Sequence, residues 1–178
     1  MEGKETATFW GRTDRVLITN SLSKAYGLPG LRLGWIVGPT PLIKDLWGRT
    51  DYTTISPSIL SDHLATVALE PNTRAMILGR TRQIIRENFG AMKGWIDDQE
   101  GLFSYHPPDA GAICYVRYRS EVNSSAFAET LRAEKDVLVV PGDHFGMDHF
   151  LRLGFGNPRD ELMEGLGRIA DAFQEVRG

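Results

Sequence analysis

The sequence of 178 residues contains one cysteine, Cys114. A single cysteine excludes an internal disulfide framework and is typical of a reducing cytoplasm. Charges of both signs are interspersed around a formal net charge of -3, and no basic block favours nucleic-acid binding. No apolar run approaches the roughly 18 residues that span a bilayer, and the opening "MEGKETATFW" lacks a signal-peptide core. These absences predict a soluble, cytoplasmic protein without a membrane or nucleic-acid partner.

What is present is a series of short apolar segments separated by proline and glycine. After a loop at residues 1–14, we expect a buried strand at 16–19 and a second strand at 31–38. Apolar spacing and prolines predict helices over 41–49, 57–69 and 73–97. Beyond Gly101, the segments "LFSYHPP", "AICYVRY", "VLVVPG" and "FLRLGFG" predict four strands, with helices over 125–134 and 159–176.

This order predicts an α/β protein in three parts. Residues 1–72 resemble the end of an α/β unit, residues 73–100 form a long linking helix, and residues 101–178 form a small α+β domain. We find no internal repeat that would favour a different architecture.

The stretch "SLSKAYGLPGLRLGW", residues 21–35, carries most of the chemistry. A lysine amine that has lost its proton is a nucleophile toward a carbonyl. Hydroxyl groups and an arginine fork bind a phosphate dianion, and Ser21, Ser23 and Arg32 flank Lys24 with those groups. Glycines between them allow tight turns and close approach of a ligand. The stretch therefore predicts one site for a cofactor that has both an aldehyde and a phosphate.

The same stretch resembles the cofactor-lysine signature of fold-type I pyridoxal-phosphate enzymes, in the class I/II aminotransferase family. The signature is Ser-x-Ser-Lys, a small residue, and then Gly-Leu-x-Gly-x-Arg-x-Gly, and every element is present in register. The resemblance implies that Lys24 bonds pyridoxal 5'-phosphate covalently and then moves the proton between substrate and cofactor. It also implies that Ser21, Ser23 and Arg32 bind the cofactor phosphate.

Later segments are similar to the same family in the same order. They are "PPDAGAICYVRY", "VLVVPGDHFG" and "HFLRLGFGNPRDELMEGLGRI". The family's closing motif places an arginine on a strand to bind the substrate α-carboxylate, and by resemblance this arginine is Arg152. The resemblance thus implies a transaminase for an amino acid and a 2-oxo acid, within a homodimer whose neighbouring cofactor would be approached by the segment Tyr52-Thr53-Thr54.

The chain departs from the family at its N-terminal side. Family members are about twice as long, so residues 1–72 would be a remnant of the large cofactor-binding domain. The family's Asp-x-x-Tyr pair, whose aspartate keeps the cofactor ring nitrogen protonated, has no match here, since Asp14 is the only aspartate in residues 1–14. We therefore expect a C-terminal fragment that is not a competent transaminase alone.

Several alternatives remain open. Decarboxylases, lyases and cyclising enzymes share the lysine signature, and a non-catalytic remnant or interaction module would also keep the fold. Ser21 to Lys24 satisfies the Ser-x-x-Lys motif of serine β-lactamases, but the accompanying Ser-Asp-Asn and Lys-Thr-Gly are absent. The glycines do not fit a dinucleotide fingerprint.

No metal site is predicted. Asp143, His144, Asp148 and His149 lie in a loop without helical ligand spacing, which is more typical of a solvated loop. Cys114 alternates with polar positions on a predicted strand, which favours a core thiol over a nucleophile.

Overall fold

The computed structural model describes residues 6–177, so the part of the predicted opening loop at residues 1–5 lies outside the described residues. The chain divides into two compact units, of which the first ends at Arg82 and the second begins at Gln83. Each unit has its own apolar core. No helix in the described part of the chain is long and apolar enough to cross a membrane.

The first unit is built on a hairpin of two antiparallel strands, β1 (Ile18–Ser21) and β2 (Gly34–Val37). Two helices follow, α1 (Thr40–Thr50) and α2 (Ile59–Leu69). The next helix, α3 (Pro71–Asp97), starts at a proline, whose missing N–H costs nothing at a first helical position. Its first turns pack against a small core formed by Leu22, Tyr26 and Ala65 with flanking leucines.

Both strands of the hairpin differ from their predicted bounds. The first starts two residues later than expected and reaches Ser21, and the second starts at Gly34 because Pro29–Leu31 forms a 3-10 turn. The prediction that the first strand is buried is wrong for this chain. The hairpin pairs with no further strand among the described residues, so Trp35, Ile36 and Val37 on β2 remain exposed.

The second unit is a four-stranded antiparallel sheet covered by helices on one face. Its strands are β3 (Phe103–Tyr105), β4 (Ile113–Tyr118), β5 (Val140–Pro141) and β6 (Phe150–Gly154), in the order β3-β4-β6-β5. The helices are α4 (Ser124–Glu134) and α5 (Arg159–Arg177), together with the second half of α3. The predicted strand "VLVVPG" is reduced to two paired residues at the sheet edge, where proline is tolerated.

Strand alternation builds the core of this unit. Cys114, Val116 and Tyr118 on β4 point to the helix-covered face, as do Leu151 and Leu153 on β6. The helices contribute a matching apolar stripe: Met92, Trp95, Ile96, Phe127, Leu131, Leu162, Leu166, Ile169 and Phe173. Arg152, which lies between Leu151 and Leu153, therefore points to the opposite, less covered face of the sheet.

Candidate functional site

The open end of the hairpin gathers the serines and the arginine of the predicted phosphate site. Ser21 pairs with Gly34, and the Leu22 N–H donates to the Leu33 carbonyl at 3.1 Å, which extends the register one residue beyond the strands. Ser23 and Arg32 are the residues next to this bond, one on each side of the hairpin end. The fold thus places Ser21, Ser23 and Arg32 at one end of the hairpin, although Arg32 and Ser21 are eleven positions apart.

Gly34 makes this close approach possible. A Cβ at position 34 would lie 2.8 Å from the Asn20 carbonyl oxygen and 3.4 Å from the Ser21 Cβ. Side-chain carbons essentially never approach a carbonyl oxygen so closely, so any other residue would push β2 away from Ser21. The glycine keeps the chain that carries Arg32 against the chain that carries the serines.

Lys24 lies on the tight loop that leaves the hairpin. The Gly27 N–H donates to the Lys24 carbonyl at 3.0 Å, and the Leu28 N–H donates to the Leu22 carbonyl at 2.9 Å, so residues 22–28 form a closed loop. Gly27 takes a left-handed φ of 65°. Lys24 is exposed, and its amine has no hydrogen bond or ion pair among the described residues. The amine is therefore free to react with a carbonyl.

The polar groups beside Lys24 keep unused donors. The Ser21 hydroxyl accepts from the Ser23 N–H at 3.3 Å, and both side chains are half-buried. Arg32, at a left-handed φ of 53°, donates from Nη1 to the Pro29 carbonyl at 2.9 Å. Four of the five guanidinium N–H donors remain without a partner in the described structure. Two hydroxyls and a guanidinium fit a phosphate dianion, so this donor set fits the phosphate of the expected cofactor.

Arg152 occupies the centre of β6, in the second unit. It faces Tyr115 on β4 and Val140 on β5, and it is half-buried. Buried arginines normally pair with a carboxylate, yet none lies within ion-pair distance of Arg152 among residues 6–177. A half-buried arginine without a protein partner is suited to an external carboxylate.

The loop Asp143–His149 caps a helix. Asp148 accepts from the Ser124 N–H at 2.8 Å and from the His149 N–H at 2.7 Å, and these bonds hold the pKa of its carboxyl well below its usual range. The Ser125 hydroxyl donates to Asp143 at 2.8 Å, which lowers the pKa of Asp143. In the described chain no group of three His, Cys, Asp or Glu residues could hold a metal ion. Asp148 thus accepts from a backbone N–H at the start of α4, and Asp143 accepts from the side chains of Ser125 and Asn123 there.

Cys114 is a core thiol, as predicted. Its side chain is buried on β4, and burial raises the pKa of the thiol to about 11. A buried thiol that keeps its proton is a poor nucleophile, which disfavours a role as a reactive group.

Sequence reasoning missed the helix residues that contact the lysine loop. The Arg74 Nε donates to the Tyr26 hydroxyl at 3.1 Å, across 48 positions of sequence. Arg80 lies over Gly27, where an added Cβ would be 3.4 Å from its Nη2. The only sequence feature that indicates such packing is the aromatic residue Tyr26, two positions after Lys24. Nothing in the sequence pairs Tyr26 with α3.

The chain is similar in sequence to the members of one known protein family. The family model described as "Aminotransferase class I and II" matches residues 2–169. The chain is 40% identical over 158 residues to capreomycidine synthase from Streptomyces vinaceus, covering 89% of the chain and 40% of that enzyme.

Two solved structures show the same fold. One is a PLP-dependent aminotransferase from Streptococcus suis, with a TM-score of 0.85, 32% identity, and coverage of 92% of this chain and 43% of that one. The other is the PLP-dependent cyclase OrfR, with a TM-score of 0.81, 30% identity, and coverage of 91% and 44%. The chain thus spans about two fifths of the length of the relatives it matches.

Proposed function

Because this chain belongs to the class I and II aminotransferase family, we propose that it is the C-terminal part of a pyridoxal-phosphate-dependent aminotransferase. The proposed substrates are an amino acid and a 2-oxo acid. The observation that carries the proposal is the free, exposed Lys24 amine beside unused donors of Ser21, Ser23 and Arg32.

The proposed roles follow from what each group can bind. Ser21, Ser23 and Arg32 would hold the cofactor phosphate, and the Lys24 Nζ would bond the aldehyde carbon, whose oxygen would leave as water. When bound, pyridoxal phosphate acts as an electron sink for the bonds of the substrate α-carbon. Once the substrate amine had taken its place on the aldehyde carbon, the released Lys24 Nζ would be free to accept the substrate α-carbon proton and to donate it again. Arg152 would bind a substrate α-carboxylate through its guanidinium fork.

The finer organisation is proposed from the same family membership. Residues 1–72 would belong to the large cofactor-binding domain, 73–100 to a linking helix and 101–178 to the small domain. We further propose a cytoplasmic enzyme of amino-acid metabolism that acts as a homodimer. In such a homodimer residues 52–54 would approach the neighbouring subunit, and Tyr52, 90% exposed, is accessible for that contact.

A test of the phosphate site compares two aldehydes on the purified chain. Pyridoxal phosphate should modify Lys24 at least about tenfold faster than pyridoxal, which lacks the phosphate, since a charge-assisted phosphate contact is worth that much. Arg32→Gln should remove most of this preference, whereas Arg49→Gln, an exposed arginine on α1, should leave it intact. Equal rates for both aldehydes in the unmodified chain would refute the proposed site.

A cyclising enzyme is the second candidate, favoured by the 40% identity to capreomycidine synthase and the match to the cyclase OrfR. The two reactions differ in the fate of the amino nitrogen. In the full-length gene product, an isotopically labelled amino nitrogen should move to an added 2-oxo acid if the enzyme is a transaminase. Label that stays in a cyclised product would favour the second candidate.

A further inference from the structure

The loop that carries Lys24 is fastened to α3 by one polar contact. Tyr26 lies two residues after Lys24 and is buried, with 7% of its side chain exposed, whereas Lys24 itself faces solvent. The Tyr26 hydroxyl accepts a hydrogen bond from Arg74 Nε at 3.1 Å. Among the described residues, this is the only hydrogen bond between residues 22–28 and α3. The lysine loop therefore depends on a residue that is distant in sequence.

Apolar packing also holds the same loop against α3. Leu22 and Tyr26 point inward to Ala65, and Ile77 and Leu78 of α3 pack against them. Apolar contacts fix how closely the loop approaches α3, but they are not directional and allow it to slide. A hydrogen bond has a preferred angle as well as a distance, so the Tyr26 hydroxyl sets where the loop lies along the helix.

Gly27 shows that the loop lies close to α3. A side chain at this position would meet Arg80 Nη2 at 3.4 Å and Thr81 Oγ1 at 3.9 Å, and its φ of 65° disfavours any side chain. The Gly27 N–H also closes the turn onto the Lys24 carbonyl. A displacement at Tyr26 would therefore pass directly to the backbone of Lys24.

We propose that Arg74, acting through the Tyr26 hydroxyl, is a positioning residue that fixes the direction of the Lys24 amine. The role rests on the proposed function, because it matters only if Lys24 bonds an aldehyde. Without Arg74, the buried hydroxyl loses its partner, and the loop gains conformations in which the amine does not reach the aldehyde carbon. The phosphate contacts at Ser21, Ser23 and Arg32 would be unaffected.

The experiment uses the whole chain and four variants. Tyr26→Phe removes only the hydroxyl, Arg74→Met removes the donor, and Arg74→Lys keeps a cation that can donate. Arg82→Met is the control, since Arg82 is exposed on the same helix and has no polar partner among the described residues. Two quantities are measured: amide hydrogen exchange at Gly27 and Leu28 without cofactor, and the borohydride-trapped rate at which pyridoxal phosphate modifies Lys24.

We expect Tyr26→Phe and Arg74→Met to accelerate exchange at both amides by about fivefold to tenfold. Each should slow the modification of Lys24 by the same factor, because the loss of one hydrogen bond has an effect of about this size. The pyridoxal phosphate concentration at half-maximal rate should not change. The double variant should be no worse than either single variant, because both remove the same bond. Arg74→Lys should keep most of the Lys24 modification rate of the unmodified chain, and Arg82→Met should change neither the exchange rates nor the modification rate.

The outcomes separate this inference from the function on which it rests. The role of Arg74 would be overturned if Tyr26→Phe and Arg74→Met had the same exchange and modification rates as Arg82→Met. Additive effects in the double variant would overturn it as well. If the unmodified chain formed no adduct at Lys24, the proposed function would fail, while the exchange rates would still decide whether the contact orders the loop.

Discussion

At the scale of single residues, Asp148 shows how a charged side chain stabilises a helix end. Its carboxylate accepts two backbone N–H bonds and lies next to the positive end of α4. The donors are 24 positions and one position away in sequence. The sequence predicted only a solvated loop here, because capping by a residue from a later segment leaves no local pattern. Asn123, the cap from the helix's own segment, is recognisable from sequence.

Replacement of Asp148 by asparagine should change the acid stability of the chain. The folded state holds the pKa below the ordinary value of 3.8, so the charge stabilises the fold fully above about pH 5, and this stabilisation is lost as pH falls below that value. Thermal unfolding should therefore show Asp148→Asn to be less stable than the unmodified chain at pH 7, with a difference that shrinks below pH 3.8. Asp109→Asn is the control, because Asp109 is exposed and has no hydrogen bond or ion pair among the described residues, and a constant difference across pH would contradict the assignment.

At the scale of elements, helices were predicted more closely than strands. The bounds of α3, α4 and α5 differ from prediction by two residues or fewer, because apolar spacing, prolines and polar caps are local signals. The hairpin strands were misplaced by two or three residues. Their bounds depend on which residues face each other, and the close approach of Gly34 to Ser21 cannot be recognised until both strands are paired.

Gly34→Ala tests whether that close approach sets the hairpin. The added Cβ would lie 2.8 Å from the Asn20 carbonyl oxygen, so β2 must move, and we expect a loss of about 1–3 kcal/mol in the free energy of unfolding by urea. Modification of Lys24 by pyridoxal phosphate should slow in parallel. Gly30→Ala is the matched control, because no atom lies within 4 Å of its added Cβ. Equal effects of the two substitutions would show that Gly34 has no special role.

At the scale of the whole molecule, exposed apolar side chains are concentrated in the first unit. Among the described residues of this unit, eight are at least half exposed: Phe9, Trp47, Tyr52, Ile55, Ile59, Leu60, Leu64 and Met76. Helix α2 is apolar on nearly every face, although only Ala65 and Ala68 are buried. Helices of this kind are normally enclosed by other protein segments. The relatives, of which the chain spans about two fifths, have the additional length for such cover.

This surface should make the purified chain self-associate. We expect light scattering to give a mass above 19.9 kDa, together with enhanced fluorescence of a dye that binds apolar surfaces. Replacing both Ile59 and Leu60, 85% and 75% exposed, with lysine should lower the mass toward that of one chain. Leu138→Lys, at an equally exposed leucine of the second unit, should not. A single species of 19.9 kDa without dye binding would contradict this prediction.

The signature around Lys24 predicts the cofactor from the sequence alone, since its residue types and spacing are local. Arg152 is predicted by its place in a family motif. The structure adds that Arg152 has no carboxylate partner among the described residues, which no reading of residues 150–155 could reveal. Arg74 was beyond sequence reasoning, because its contact with Tyr26 exists only once α3 has packed against the loop.

The most direct test of the account is to find where pyridoxal phosphate binds covalently. The chain is incubated with the cofactor, the visible absorbance is recorded, and the adduct is reduced with borohydride and mapped by mass spectrometry. We predict one dominant modified residue, Lys24, with absorbance lost in Lys24→Ala and kept in Lys44→Ala, which removes another exposed lysine of the same unit. Absence of an adduct, or equal labelling of Lys24 and Lys44, would contradict the central claim that this loop is built to hold the cofactor.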